Sequence, residues 1–172
     1  LPDDIDPMRL MPLRINLALG RGDVVTALTG AQAVVAVGDL ESQPSELTSA
    51  VGAAFAWAGL LDEARAVLPV ALARTQAERR STAHAMALVA TAVAEFHAAS
   101  DDVARAAACR AVDYATSSGL GEYHGIAPAV ALIAWRLSLA LVPAVGEDAV
   151  RMLFGGFGLV SLAVAVPFLW RP

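Results

Sequence analysis

One pattern occurs three times in this chain, and a chain that repeats itself at a fixed spacing has few folds open to it. Gly59-Leu60-Leu61-Asp62-Glu63-Ala64-Arg65-Ala66-Val67 returns forty residues later as Ala99-Ser100-Asp101-Asp102-Val103-Ala104-Arg105-Ala106-Ala107. A fainter copy, Gly20-Arg21-Gly22-Asp23-Val24-Val25-Thr26-Ala27-Leu28, lies thirty-nine residues upstream of the first. A period of this length is the mark of a repeat array built from helix pairs. Each copy reads as a small residue, a short turn, an acid and an alanine-rich apolar run. The acids fall where helices begin, so Asp23, Asp62 and Asp102 are expected to serve as structural caps. Their carboxylates can accept orphan backbone N–H groups and face the positive end of the helix dipole. Arg65 and Arg105 follow Asp62 and Asp102 at a spacing that puts each pair on one helical face.

A helix pair cannot bury both of its apolar faces, but stacking neighbours cover them. Alanine favours this arrangement, since it forms helix well and lets helix axes approach closely. The expectation is therefore an all-α protein, an α-solenoid of about three to four antiparallel helix pairs with a concave and a convex side. The array is expected over residues 1–151, with residues 152–172 as an apolar C-terminal helix or tail. Helices are expected over 11–19, 23–37, 44–58, 62–78, 80–99 and 101–117, with a seventh from about residue 122, or nearer Ala127 because Pro128 fits a first turn. Pro12 suits a first helical position, and Pro69 should kink the fourth helix. Arg21-Gly22-Asp23 matches an adhesion tripeptide but coincides with the repeat's own turn and cap.

No catalytic signature is present. The chain has no His-Glu-x-x-His, Cys-x-x-Cys or Gly-x-Ser-x-Gly, and with no Lys it cannot contain a phosphate-binding loop ending in Gly-Lys-[Ser/Thr]. The Asp62/Glu63 and Asp101/Asp102 pairs lie at helix starts, where capping accounts for them. His84 and His97 are thirteen residues apart, and steps of roughly 100° put them on opposite faces of one helix, so they cannot share a metal. The expectation is a non-enzymatic chain with no cofactor and no metal. Twelve Arg against seventeen acids give a formal charge of −5, which disfavours direct contact with nucleic acid. Cys109 is the single cysteine and falls in an apolar helix, a core position. If a binding groove lies on the inner helices, Trp57, His97, Tyr123 and His124 are the polar and aromatic residues expected to line it.

The run from His84 to Ala99, the Ser100–Arg105 turn, Ala111-Val112-Asp113-Tyr114-Ala115 and Ser118-Gly119-Leu120-Gly121-Glu122-Tyr123 resemble consecutive elements of a known family. That family is the tetratricopeptide-like (MalT-like) sensor region of large LuxR-type transcriptional regulators, and the likeness covers about residues 15–135. It implies a right-handed array that receives a small-molecule inducer or a protein partner, in the cytoplasm, while other domains hydrolyse ATP and grip DNA. The chain begins Leu-Pro-Asp-Asp and reads as a fragment of such a regulator. The likeness ends after Trp135, where the next expected turn comes late, at Gly146-Glu147-Asp148.

Met152 to Trp170 is a run of nineteen uncharged residues between Arg151 and Arg171. That length can cross a hydrocarbon core as a helix, which would make the chain membrane-associated through 152–170. Gly155, Gly156, Gly158 and Pro167 are better tolerated in membrane helices than in water. The alternative is a helix packed on protein. This run and the many alanines together raise the mean hydropathy to +0.58.

Overall fold

The computed structural model describes residues 7–120 and 124–133, and among these every regular element is helical. The chain divides into two compact units, Leu1–Ile133 and Ala134–Pro172, and all the described residues belong to the first. The seventh helix beyond residue 133 and the segment 152–170 lie outside the described residues. Among the described residues no helix is long and apolar enough to cross a membrane.

Six α-helices form this unit: α1 (Pro7–Gly20), α2 (Val24–Val37), α3 (Ser45–Trp57), α4 (Leu61–Ala77), α5 (Ser81–His97) and α6 (Asp101–Ser117). A 3₁₀ turn over His124–Ile126 then leads into helix at 127–133, where Pro128 sits in the first turn. Helix α1 starts earlier than expected. Pro7 opens it, and Pro12 lies inside rather than at its first position. Helix α4 continues through Pro69, which stands on its exposed side.

Five of the helices end by one mechanism. The residue two past the end, in the left-handed conformation, is Gly22, Gly59, Arg79, Ala99 or Gly119, with φ between +54° and +73°. The N–H of the next residue then reaches back to a carbonyl five residues earlier, as Leu60 does to Phe55 at 2.9 Å and Ser100 to Glu95 at 3.0 Å. This double closure satisfies the orphan carbonyls of the helix end. It also corrects the register of the first repeat. Gly22, not Gly20, is the counterpart of Gly59, and the spacing is thirty-seven residues, because only the left-handed residue marks the end. From Val37 onward the last helical residues, Val37, Trp57, Ala77, His97 and Ser117, are spaced at a steady twenty.

Burial alternates along the chain. Every residue of α3 except Glu46 and Trp57 is buried, and α5 is nearly as enclosed. Helices α4 and α6 bury one stripe each: Ala64, Val67, Leu68, Ala71 and Thr75 in α4, and forty residues on Ala104, Ala107, Ala108, Ala111 and Ala115 in α6. The contacts explain the difference. Helix α3 packs against α1, α2, α4 and α5, while α6 packs chiefly against α5. Close approach is built in at Gly52, where an added Cβ would stand 2.7 Å from Leu68 Cδ2, and at Gly30, where it would stand 3.1 Å from Ile15 Cγ1.

Polar contacts tie the helix ends together. Arg65 near the start of α4 grips Glu95 near the end of α5 with two bonds of 2.9 and 3.1 Å. Ser45 at the start of α3 donates to Glu78 beyond the end of α4 at 2.7 Å, and Arg80 pairs with Glu46 at 3.2 Å. Arg74 of α4 donates to the Leu40 carbonyl at 3.1 Å, fixing the longer α2–α3 connection.

Candidate functional site

Helices α1 and α5, each packed against α3, frame with it a cleft of about 470 Å³. Asn16, Leu19 and Gly20 of α1 supply one wall at helical spacing. Ala53 and Trp57, one turn apart, supply α3's share, and Met86, Val89 and Ala90 supply that of α5. Gly125, Ala127 and Pro128, at the start of the next helix, close the remaining side. Gly20, Ala53 and Ala90 make the cleft possible, since each withholds the side chain that would fill it. The size falls within the range of small-molecule sites, roughly 300–1,000 Å³.

Trp57 is half-buried at the junction of the two apolar clusters of this unit and packs against both. One cluster is centred on α1–α4 and the other on α5, α6 and the segment after the 3₁₀ turn. Its indole is therefore held by the core on one side and presented to the cleft on the other. His97 occupies the equivalent place forty residues later but is exposed and does not line the cleft; its nearest ring is Phe96, 6.1 Å away and edge-on. Tyr123 lies outside the described residues. His124 opens the 3₁₀ turn, one residue before Gly125 in the cleft wall.

The three acids take different positions. Asp23 is the N-cap of α2, its Oδ1 accepting from Thr26 N–H at 3.0 Å, and the Thr26 side chain, with this backbone bond second, holds its carboxyl below the usual 3.8. Asp62 and Asp102 are the second residues of α4 and α6, and the N-cap residues there, Leu60 and Ser100, make no side-chain capping bond. They lie within the first turn, where a negative charge suits the helix dipole. Arg65 turns from Asp62 to the bidentate bond with Glu95, which raises its pKa, with Asp62 a minor contributor.

His84 and His97 do lie on unlike surfaces of α5. His84 is 8% exposed, its Nδ1 2.9 Å from Thr75 Oγ1 and its ring 4.6 Å from that of Tyr114. The Thr75 hydroxyl already donates to the Ala71 carbonyl at 2.7 Å, so Nδ1 carries the proton in the arrangement that satisfies both groups. Burial lowers the His84 pKa, against a smaller opposing effect from the Leu72 carbonyl. Among the described residues no group of three or more His, Cys, Asp or Glu stands close enough to hold a metal ion.

No family model, curated protein or solved structure matches this chain.

The residue that sequence reasoning missed is Asn16. It is the one carboxamide among the described residues of the cleft wall, and its Oδ1 is enclosed without a hydrogen-bond partner. A buried carbonyl oxygen left unpaired costs about 1–3 kcal/mol. The signal in the sequence is small: one carboxamide between Ile15 and Leu17, in a helix that also carries Arg9 and Arg14.

Proposed function

We propose that the chain is a receiving module without chemistry of its own, a right-handed tetratricopeptide-like α-solenoid of antiparallel helix pairs. It takes up a small-molecule inducer or a protein partner on its concave face, as the sensor region of a LuxR-type transcriptional regulator does. The observation that carries the reading is the cleft between α1, α3 and α5, with Trp57 in its wall.

The alternation of helices supports the stacked arrangement. Helices α1, α3 and α5 contact each other in succession, while α2 and α4 each pack between their sequence neighbours. Arg65 and Glu95 join the start of one helix to the end of the next, as antiparallel neighbours require, and Arg80 and Glu46 join two starts, as parallel second neighbours require. The twenty-residue spacing of helix ends gives a forty-residue pair.

The regulator reading is tested by the reading frame around this segment. A DNA-binding helix-turn-helix encoded in the same frame is the expected result, and a complete frame without one overturns the assignment. A second reading, a helical-repeat scaffold attached to a membrane, rests on the uncharged run Met152–Trp170. Fractionation of the full chain beside one lacking 152–172 decides it: anchoring requires the full chain alone to sediment with membranes.

A further inference from the structure

The geometry points to a defined ligand class for the cleft: a small, uncharged, mainly apolar molecule carrying one hydrogen-bonding N–H or O–H group that pairs with Asn16. This inference rests on the reading of the cleft as the receiving site and names what enters it.

Charge decides the first half. Among the described residues, none of the eleven around the cleft is ionisable. A charged or heavily hydroxylated molecule would leave its water for a wall of alanine, leucine, valine and methionine, and no charge among the described lining residues would compensate. An apolar molecule gains from the same wall, and Trp57 supplies a flat aromatic surface to stack upon.

Asn16 decides the second half. Its Oδ1 is enclosed and without a partner, while the side chain as a whole is half-buried and forms part of the wall. Leu19 and Gly20 beside it in the wall are apolar, and Asn16 Oδ1 makes no hydrogen bond that would account for a carboxamide at this place. The torsion that turns a terminal amide is soft. Once the amide turns its carbonyl toward the cleft, a ligand N–H or O–H there gives it the bond that the protein withholds. In an apolar cleft partly withdrawn from water, an unpaired polar group favours ligands that can pair with it over ligands that cannot.

Three probes of one shape test this on the full isotope-labelled chain by amide chemical-shift titration. Indole carries an N–H, indene is its counterpart without one, and indole-3-carboxylate adds a charge. Indole is expected to bind with a dissociation constant on the order of 1 mM, shifting amides around Asn16, Ala53 and Met86. Indene is expected to bind about three- to tenfold more weakly, and the carboxylate more weakly still. Asn16→Leu is expected to lower indole to the level of indene while leaving indene unchanged and the unfolding midpoint equal or higher. Met86→Trp, which fills the cleft from α5, is expected to abolish indole binding. Equal binding of indole by Asn16→Leu, or a preference for the carboxylate, overturns the ligand class and leaves the cleft a binding site. No shift from any probe up to its solubility limit overturns the inference outright, whereas the regulator reading stands or falls on its reading frame.

Discussion

Ala99 and Gly59 occupy the same place in successive repeats, and exchanging their side chains isolates the cost of the left-handed helix closure. Ala99 has φ +54° and Gly59 φ +72°, and each is followed by the same reach-back hydrogen bond, from Ser100 to Glu95 and from Leu60 to Phe55. A Cβ added at Gly59 would meet nothing within 4 Å, so Gly59→Ala brings no clash and its effect is conformational. An L-residue in the left-handed region costs about 1–2 kcal/mol. The smaller freedom of alanine in the unfolded chain returns about 0.4–1 kcal/mol. The balance makes Gly59→Ala destabilising by about 0.5–1 kcal/mol, and Ala99→Gly stabilising by the same amount, since it reverses the exchange. For a chain of this length each change moves the unfolding midpoint by about 2–3 °C, in opposite directions. Circular dichroism at a helix wavelength during reversible heating reads both, and Arg79→Gly, at φ +55°, should follow Ala99→Gly. A lower midpoint for Ala99→Gly would refute the reasoning, because it would mean that alanine is not strained where the structure puts it.

Gly52→Ala sets a new methyl 2.7 Å from Leu68 Cδ2 and is expected to destabilise by about 1–2 kcal/mol, after the better helix propensity of alanine is counted. In a Leu68→Ala background the same change is expected to be neutral or stabilising, and a double-mutant cycle in denaturant reads the change of sign. His84 makes stability depend on pH. Its folded pKa lies below the ordinary 6.5, so its contribution is full above that value and is lost as pH falls through the folded one. The unfolding midpoint between about pH 8 and pH 5 should therefore decline on the acid side, and His84→Phe, which removes the titrating group beside Tyr114, should flatten that decline. Asp23→Asn should keep α2 anchored through its side-chain oxygen, whereas Asp23→Ala should increase amide exchange at Thr26.

The ends of α3 to α6 could be read from the sequence because glycine, proline and the acids stand close to them: Gly59, Gly119, Pro44, Asp62 and Asp101. What could not be read was the common closure behind those ends. Arg79 and Ala99 adopt the conformation that glycine advertises, and nothing in an arginine or an alanine announces it. The same blindness put the first repeat out of register, since Gly20 and Gly22 both look like turn glycines and only Gly22 has positive φ. The twenty-residue spacing stayed hidden because α3 and α5 are buried almost all round while α4 and α6 bury a stripe. Neighbouring helices therefore share no pattern, and only alternate ones align. Trp57 stood out because a large aromatic closing an alanine-rich helix has few other uses. His97 looked equivalent, but it follows the same helix to an exposed end. Asn16 was invisible for the opposite reason: its importance lies in what surrounds it, and those residues come from three helices distant in sequence.

Leu60, Arg80 and Ser100 each finish one helix with a reach-back bond and begin the next as its N-cap. Such junctions contain no spare residue, so an insertion or deletion there has nowhere to go. Losing a single helix would make neighbours of two helices of one kind, both enclosed on every side or both made for water on the outer half. Length can therefore change only in steps of forty residues. A tandem duplication of residues 61–100 is the smallest addition that leaves every surviving surface with a suitable neighbour.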